Sequence, residues 1–236
     1  MNESRNAVEV FLKSWQVYQE IISNNYMFHF EIANAVRDAL VDFKPGKNLT
    51  ILDLGCGDGS MTLNLLPPER IASYIGCDLS KPALDIAQRR IDLLNINAKL
   101  ACDDMLKVAI EQPDNSADLI FSSYAVHHLN ASNKLRLIEN LARSLNSGGK
   151  FILIDIFREP TEDRAAYMQN YLQHVTNNWL ALSSESQQLV VNHAKEFDFP
   201  ELPAFFQSVG SKSGLNEGQQ LAKHMWHEAW AFTKCV

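Results

Sequence analysis

The stretch TILDLGCGDGSMTLNLL, residues 50–66, places Gly55, Gly57 and Gly59 directly behind an apolar run that reads as a buried strand. Glycines there let the main chain turn tightly and bring its N–H groups against a ligand with no Cβ in the way. Their G-x-G-x-G spacing is one residue shorter than the G-x-G-x-x-G of dinucleotide binders. An acid, Asp53, sits just before the turn, and a second, Asp78, ends the next apolar run in YIGCDLS. An acid about 20 residues beyond such a loop can accept both hydroxyls of a ribose. Asp53, buried at a strand end, is costly unless it is hydrogen-bonded or faces a cation. Together these residues describe a holder for a ribose-bearing ligand that carries positive charge.

A nicotinamide dinucleotide brings a pyrophosphate, which seeks N–H groups and is repelled by carboxylates. S-adenosylmethionine brings a ribose, an ammonium and a sulfonium, and suits the two acids better. Further along, ACDDM offers Asp103, Asp104 and Met105, and the run DLIFSS is followed by Tyr124 and the pair His127 and His128. A base beside a bound ligand helps only where a reacting nucleophile carries a proton. His127, His128 and, from a later segment, His193 are the candidate bases. Plainer readings stand beside these. Asp78 with Ser80 and Pro82 can cap a helix, the Asp103 and Asp104 pair can face a helix dipole, and one of the two adjacent histidines can be a packing residue. Asp155, Arg158 and Tyr167 follow the fifth apolar run and suggest a polar substrate or, equally, a solvated helix start.

These residues need elements to hold them. From Asn48 onward the apolar runs TILDL, YIGCD, AKLAC, DLIFSS and KFILID alternate with helical patterns, the first of which is SMTLNLL. Continuous apolar strands joined by helices predict a doubly wound, mainly parallel α/β sheet with right-handed crossovers. Ligands bind in such sheets at the carboxyl ends of the strands, where these residues fall. Before the sheet, Val8, Phe11, Trp15, Tyr18 and Ile22, then Phe28, Ile32, Val36, Leu40 and Phe43, recur at helical spacing and predict two amphipathic helices. After it, Met168, Leu172, Val175, Trp179 and Leu182 mark another, with a further one over 189–197. The expected organisation is an N-terminal helical cover (1–45), a cofactor-binding core (46–157), a helical insert or lid (158–199) and a C-terminal return to the sheet (200–236), with weak strands over 219–225 and 228–233. A cover must exclude water and still open, and Tyr18, Tyr26 and Tyr167 are its candidate substrate contacts.

With 46% apolar and 21% charged residues in a 236-residue chain, one fully folded domain is expected. A formal charge of −7 without a Lys/Arg cluster argues against a nucleic-acid partner. Cys56, Cys77, Cys102 and Cys235 show neither CxxC pairing nor metal-ligand spacing, so no disulfide framework and no metal are expected, and a reduced cytoplasmic setting fits. The N-terminus MNESRNAVEVF lacks an apolar signal core and no run approaches bilayer length, so neither export nor a membrane partner is expected. A monomer or homodimer is expected.

LDLGCGDG, GCDLS, ACDDM, SSYAVHHL and SGGKFILID, in this order over residues 48–156, resemble the successive motifs of the class I S-adenosylmethionine-dependent methyltransferases. The resemblance implies a seven-stranded Rossmann-like sheet whose last strand is antiparallel, with S-adenosylmethionine as cofactor and S-adenosylhomocysteine as product. It implies Asp53 at the methionyl ammonium, Gly55, Cys56 and Gly57 along the cofactor, and Asp78 with Leu79 at the ribose. Asp103 or Asp104, with Met105, would edge the adenine, and Ser123 and Tyr124 would stand beside the reactive methyl. The fourth-strand segment departs from the NPPY pattern of enzymes that methylate base or amide nitrogens. The expected activity is methyl transfer to an O or N nucleophile of a small molecule. An RNA or protein methyltransferase, or a non-catalytic nucleotide-binding protein of the same fold, is the alternative.

Overall fold

The computed structural model describes residues 15–235. Its single sheet has seven strands: β1 (Leu49–Leu54), β2 (Ile71–Asp78), β3 (Ala98–Cys102), β4 (Ala117–Ser123), β5 (Leu145–Ile156), β6 (Gln219–His224) and β7 (His227–Thr233). They lie in the order β3-β2-β1-β4-β5-β7-β6. The first five are parallel, and β7 runs antiparallel to both β5 and β6. Strand order reverses between β1 and β4, so a crevice opens at their carboxyl ends.

The strands read as continuous apolar runs because alternate side chains enter two cores. Ile51, Leu119, Phe121, Ile152 and Ile154 belong to one core, and Leu52, Leu54, Ile120, Phe151 and Leu153 to the other. The edge strands β3 and β6 are only partly buried, which is why their apolar signal is weak.

Helix α1 is described over 15–23, followed by α2 (His29–Leu40), α3 (Ser60–Leu63), α4 (Lys81–Leu94), α5 (Met105–Glu111), α6 (Ala131–Ser144), α7 (Arg164–Asn178), α8 (Ser184–Phe197) and α9 (Pro203–Lys212). The helix expected over SMTLNLL is a single turn, because Asn64 ends it and Pro67 and Pro68 cannot continue it. In the N-terminal series, Val8 and Phe11 lie outside the described residues. In α1 the buried residues are Val17 and Ile21, whereas Tyr18 and Ile22 are half-buried. This helix lies across the crevice, so part of the face that reads as core lines cavities instead. Helix α2 packs on β6 and β7, and α7 packs on α8. Asp163 and Ser183 cap the insert helices, each side chain accepting a hydrogen bond from the first-turn main chain.

Candidate active site

Three cavities open around the carboxyl ends of β1, β2 and β4. The first of them, of about 370 Å³, runs past Gly55, Gly57, Asp78, Leu79, Asp103, Asp104, Met105 and Ser123. Gly55 has φ 69°, and a Cβ on it would lie 2.4 Å from the Cβ of Ala125. Glycine is required there by the approach of the loop after β4 as much as by any ligand. Gly57, at φ 54°, has nothing within 4 Å of where a Cβ would stand, so its main chain is bare toward the cleft.

Asp78 holds this turn. Its Oδ2 accepts from Gly57 N at 2.9 Å and its Oδ1 from Ser80 N at 2.8 Å, while the cap of α4 is Ser80, whose Oγ accepts from Ala83 N. Asp78 is therefore not the helix cap, and each carboxylate oxygen retains a lone pair for a ligand. The two acids of ACDDM divide their work. Asp104 caps α5, accepting from Leu106 N and Lys107 N, and Asp103 pairs with Lys107. Leu79, a large apolar residue 75% exposed, stands free at the rim.

The second cavity, of about 290 Å³, is lined by Asp53, Gly55, Cys56, Gly57, Arg37 and Ser123. Asp53 is buried, with the hydroxyls of Tyr74, at 2.6 Å, and Thr62 as its hydrogen-bond partners. Burial raises its carboxyl to about 6, because water is withdrawn and those hydroxyls only partly replace it. A cation arriving in this cavity would restore its charge. The Cys56 thiol is pushed far up by burial and then by Asp53, so it lines the space as an apolar group.

The third cavity, of about 240 Å³, lies between α1, α7 and α8. Val17, Ile21, Met27, Leu189 and Val190 make it largely apolar, and His127, His128, His193 and Asp198 form a polar patch on its wall. Tyr18, Tyr124, His128 and His193 line both this cavity and the cleft beneath Asp78, and Tyr18 lines all three. His127 is buried and doubly held by Asp155, which accepts from its main-chain N at 2.9 Å and stands 2.5 Å from its Nδ1. Burial alone would lower this imidazole, but the Asp155 charge and hydrogen bond overcome it and the pKa is raised. Tyr124 takes a left-handed φ of 50°, a strained conformation for a non-glycine, and its hydroxyl donates to Met27 O.

Four expected substrate contacts fall elsewhere. Asp155 lies behind His127 and outside the three linings, because both its oxygens serve that histidine and the main chain of β5. Arg158 is used up by Pro200 O, Glu162 O and Glu201. Tyr26 stacks on Trp179 with ring centroids 5.1 Å apart, and Tyr167 stacks on Tyr171. Tyr124 lines the junction but has its hydroxyl committed. Conversely, Arg37, Asp198 and Tyr171 line cavities without a cue taken from the sequence, and Trp179, read there only as one face of a helix, lines the apolar cavity. Asp198 has a legible cue, an acid set inside the aromatic run EFDFP.

A seven-stranded sheet with an acid-flanked glycine turn at its switch point defines a Rossmann-like methyltransferase architecture. Residues 51–149 match the family model described as "Methyltransferase domain". The chain is 29% identical over 114 residues to a carboxy-S-adenosyl-L-methionine synthase of Actinobacillus succinogenes, covering 46% of this chain and 45% of that one. It is 28% identical over 163 residues to a phosphoethanolamine N-methyltransferase of Plasmodium falciparum, covering 65% and 58%. The match thus spans about half the length of these curated relatives. The crystal structure of YcgJ from Bacillus subtilis superposes with a TM-score of 0.62 at 16% identity, covering 86% of this chain and 99% of that one. Residues 51–149 are thus similar to the methyltransferase family, and the chain as a whole shares the fold of that solved structure.

Proposed function

We propose that this protein transfers the methyl group of S-adenosylmethionine to an O or N nucleophile of a small molecule held in the cavity between α1, α7 and α8. The observation that carries this reading is the continuity of that cavity with the cofactor cleft through Tyr18, Tyr124, His128 and His193. A space of about 240 Å³ with mainly apolar walls suits a small acceptor.

The residues present fit the cofactor. Asp53 has room and unmet charge for its ammonium, Arg37 faces the same cavity and suits its carboxylate, and Asp78 has lone pairs for its ribose. Leu79 and Met105 would pack on the adenine, with Asp103 rather than the capping Asp104 at its edge. Gly55, Cys56 and Ser123 line the path between. When bound, the cofactor supplies an activated methyl on a cationic sulfur. The chain's part is to exclude water with α1, α7 and α8 and to orient the acceptor on the His127, His128 and His193 wall. In this reading residues 1–45 and 158–199 are the cover over a core of 46–157 and 200–236.

The protein acts as a monomer or homodimer in the cytoplasm, a setting supported by its four free cysteines. Among the described residues no helix is long and apolar enough to cross a membrane.

The test is a labelled-methyl transfer assay against pools of small metabolites, run beside Val190→Trp. Val190 lines the apolar cavity and neither of the others, so this variant should lose transfer and retain S-adenosylhomocysteine binding. Full transfer by Val190→Trp would place the acceptor elsewhere.

A further inference from the structure

His127, His128 and Asp198 bring three metal-ligand atoms within 4.8 Å of one another on the wall of the apolar cavity. Asp198 Oδ1 is the meeting point. It lies 3.6 Å from His127 Nε2 and 3.6 Å from His128 Nδ1, and among the described residues it has no hydrogen-bond partner although the residue is only 5% exposed. A separation of 3.6 Å is too long for a hydrogen bond. It is close to the spacing that two ligands keep across an ion. Bonds of about 2.0 to 2.2 Å at tetrahedral angles set donor atoms about 3.3 to 3.6 Å apart.

The surroundings prepare His127 for the same role. With Nδ1 held by Asp155, Nε2 is the ring nitrogen left facing Asp198 Oδ1. A divalent cation that takes the place of a proton between Nε2 and Asp198 Oδ1 is attracted to both. A carboxylate on the far nitrogen is the usual brace of a metal-binding histidine. His128 Nδ1 has one other neighbour, Phe197 O, at 3.3 Å, near the limit of a hydrogen bond. His193 stands edge-on to His128 with ring centroids 5.1 Å apart and lines the same cavity.

We propose that His127 Nε2, His128 Nδ1 and Asp198 Oδ1 bind a divalent first-row transition ion, with zinc the best match to two imidazoles and one carboxylate. Three protein ligands leave at least one coordination position open on the cavity side, which an oxygen of a bound small molecule can take. The site rests on these side chains and their brace, and not on the methyl-transfer reading. The expectation of no metal came from sequence spacing, and here the third ligand comes from 70 positions beyond His128 (128 against 198), where spacing carries no signal.

The test uses the full chain stripped with a chelator and titrated with zinc by calorimetry and with cobalt by visible absorption. One equivalent of zinc and a cobalt d–d spectrum are expected. Asp198→Asn and His128→Gln should each weaken zinc by about tenfold or more and alter that spectrum, and Asp155→Asn should weaken it by about 10- to 100-fold. A denaturation midpoint close to that of the parent reports that the same samples are folded. His128 is partly exposed and carries the comparison should Asp198→Asn fail to fold. Absence of stoichiometric zinc, or the same affinity and cobalt spectrum in the folded variants, would overturn the proposal. Loss of S-adenosylhomocysteine binding by the parent chain would count against the cofactor reading and leave this one standing.

Discussion

The two halves of the site are built by different means. The proposed cofactor half centres on a glycine turn, two strand-end acids and the first turns of the following helices within residues 53–105, with Tyr18, Arg37 and Ser123 joining its walls from outside that span. The proposed acceptor half is made of side chains from α1, the loop after β4, α7, α8 and the residue just beyond α8. Backbone geometry serves a ligand that does not vary, and it is encoded by short motifs. Side chains on separate helices can be exchanged one at a time, so this half can change its ligand without disturbing the first. If that division holds, substitutions on one side should leave the other side's measurement alone.

The largest effect is expected at the point where the halves touch. Gly55→Val imposes a left-handed φ on a branched residue and drives its Cβ into Ala125, from the loop that carries His127. Strain and overlap together should cost about 2 to 5 kcal/mol, seen as a lower denaturation midpoint, and cofactor binding should be lost. A near-parental midpoint with intact binding would show that the loops yield and that the halves are not braced there.

Asp155→Asn is the sharper probe of separation. Removing the carboxylate that holds His127 should lower kcat by about 10- to 100-fold, while calorimetry finds S-adenosylhomocysteine affinity unchanged. A matching fall in cofactor affinity would break the comparison.

On the cofactor side, Asp78→Ala should weaken S-adenosylhomocysteine by about tenfold or more, the value of about 1.5 to 3 kcal/mol for hydrogen bonds to a charged group. Transfer at saturating cofactor should largely survive. Unchanged affinity would reduce Asp78 to a brace for Gly57 N.

The last test is a pH dependence. Burial keeps Asp53 protonated up to about pH 6, against 3.8 for an ordinary aspartate, so the apo fold is relatively favoured at low pH and loses that advantage as pH rises through 6. A cationic ligand needs the ionised form, so its affinity should rise with pH by up to about tenfold per unit below 6 and level off above it. Asp53→Asn should flatten this curve. A curve unaffected by that change would remove Asp53 from the cofactor's charged end.

Local order along the chain determined the alternation of strands and helices, the glycine turn and its flanking acids, because period and turn chemistry act over a few residues. The pattern at β1 and β4 could be read directly, since both faces of these strands are buried. Tertiary structure alone decided which end of each polar side chain is free. Asp155, Arg158 and Tyr124 look available in the sequence, yet folding commits them to His127, to Glu201 and nearby carbonyls, and to Met27 O. Tyr26 and Tyr167 look like pocket residues until Trp179 and Tyr171 stack on them. Asp198, by contrast, gains its meaning only when α8 carries it to His127 and His128. A hydrogen bond or a ligand set joins residues at any separation, and no spacing rule reaches across 70 positions, the distance from His128 to Asp198.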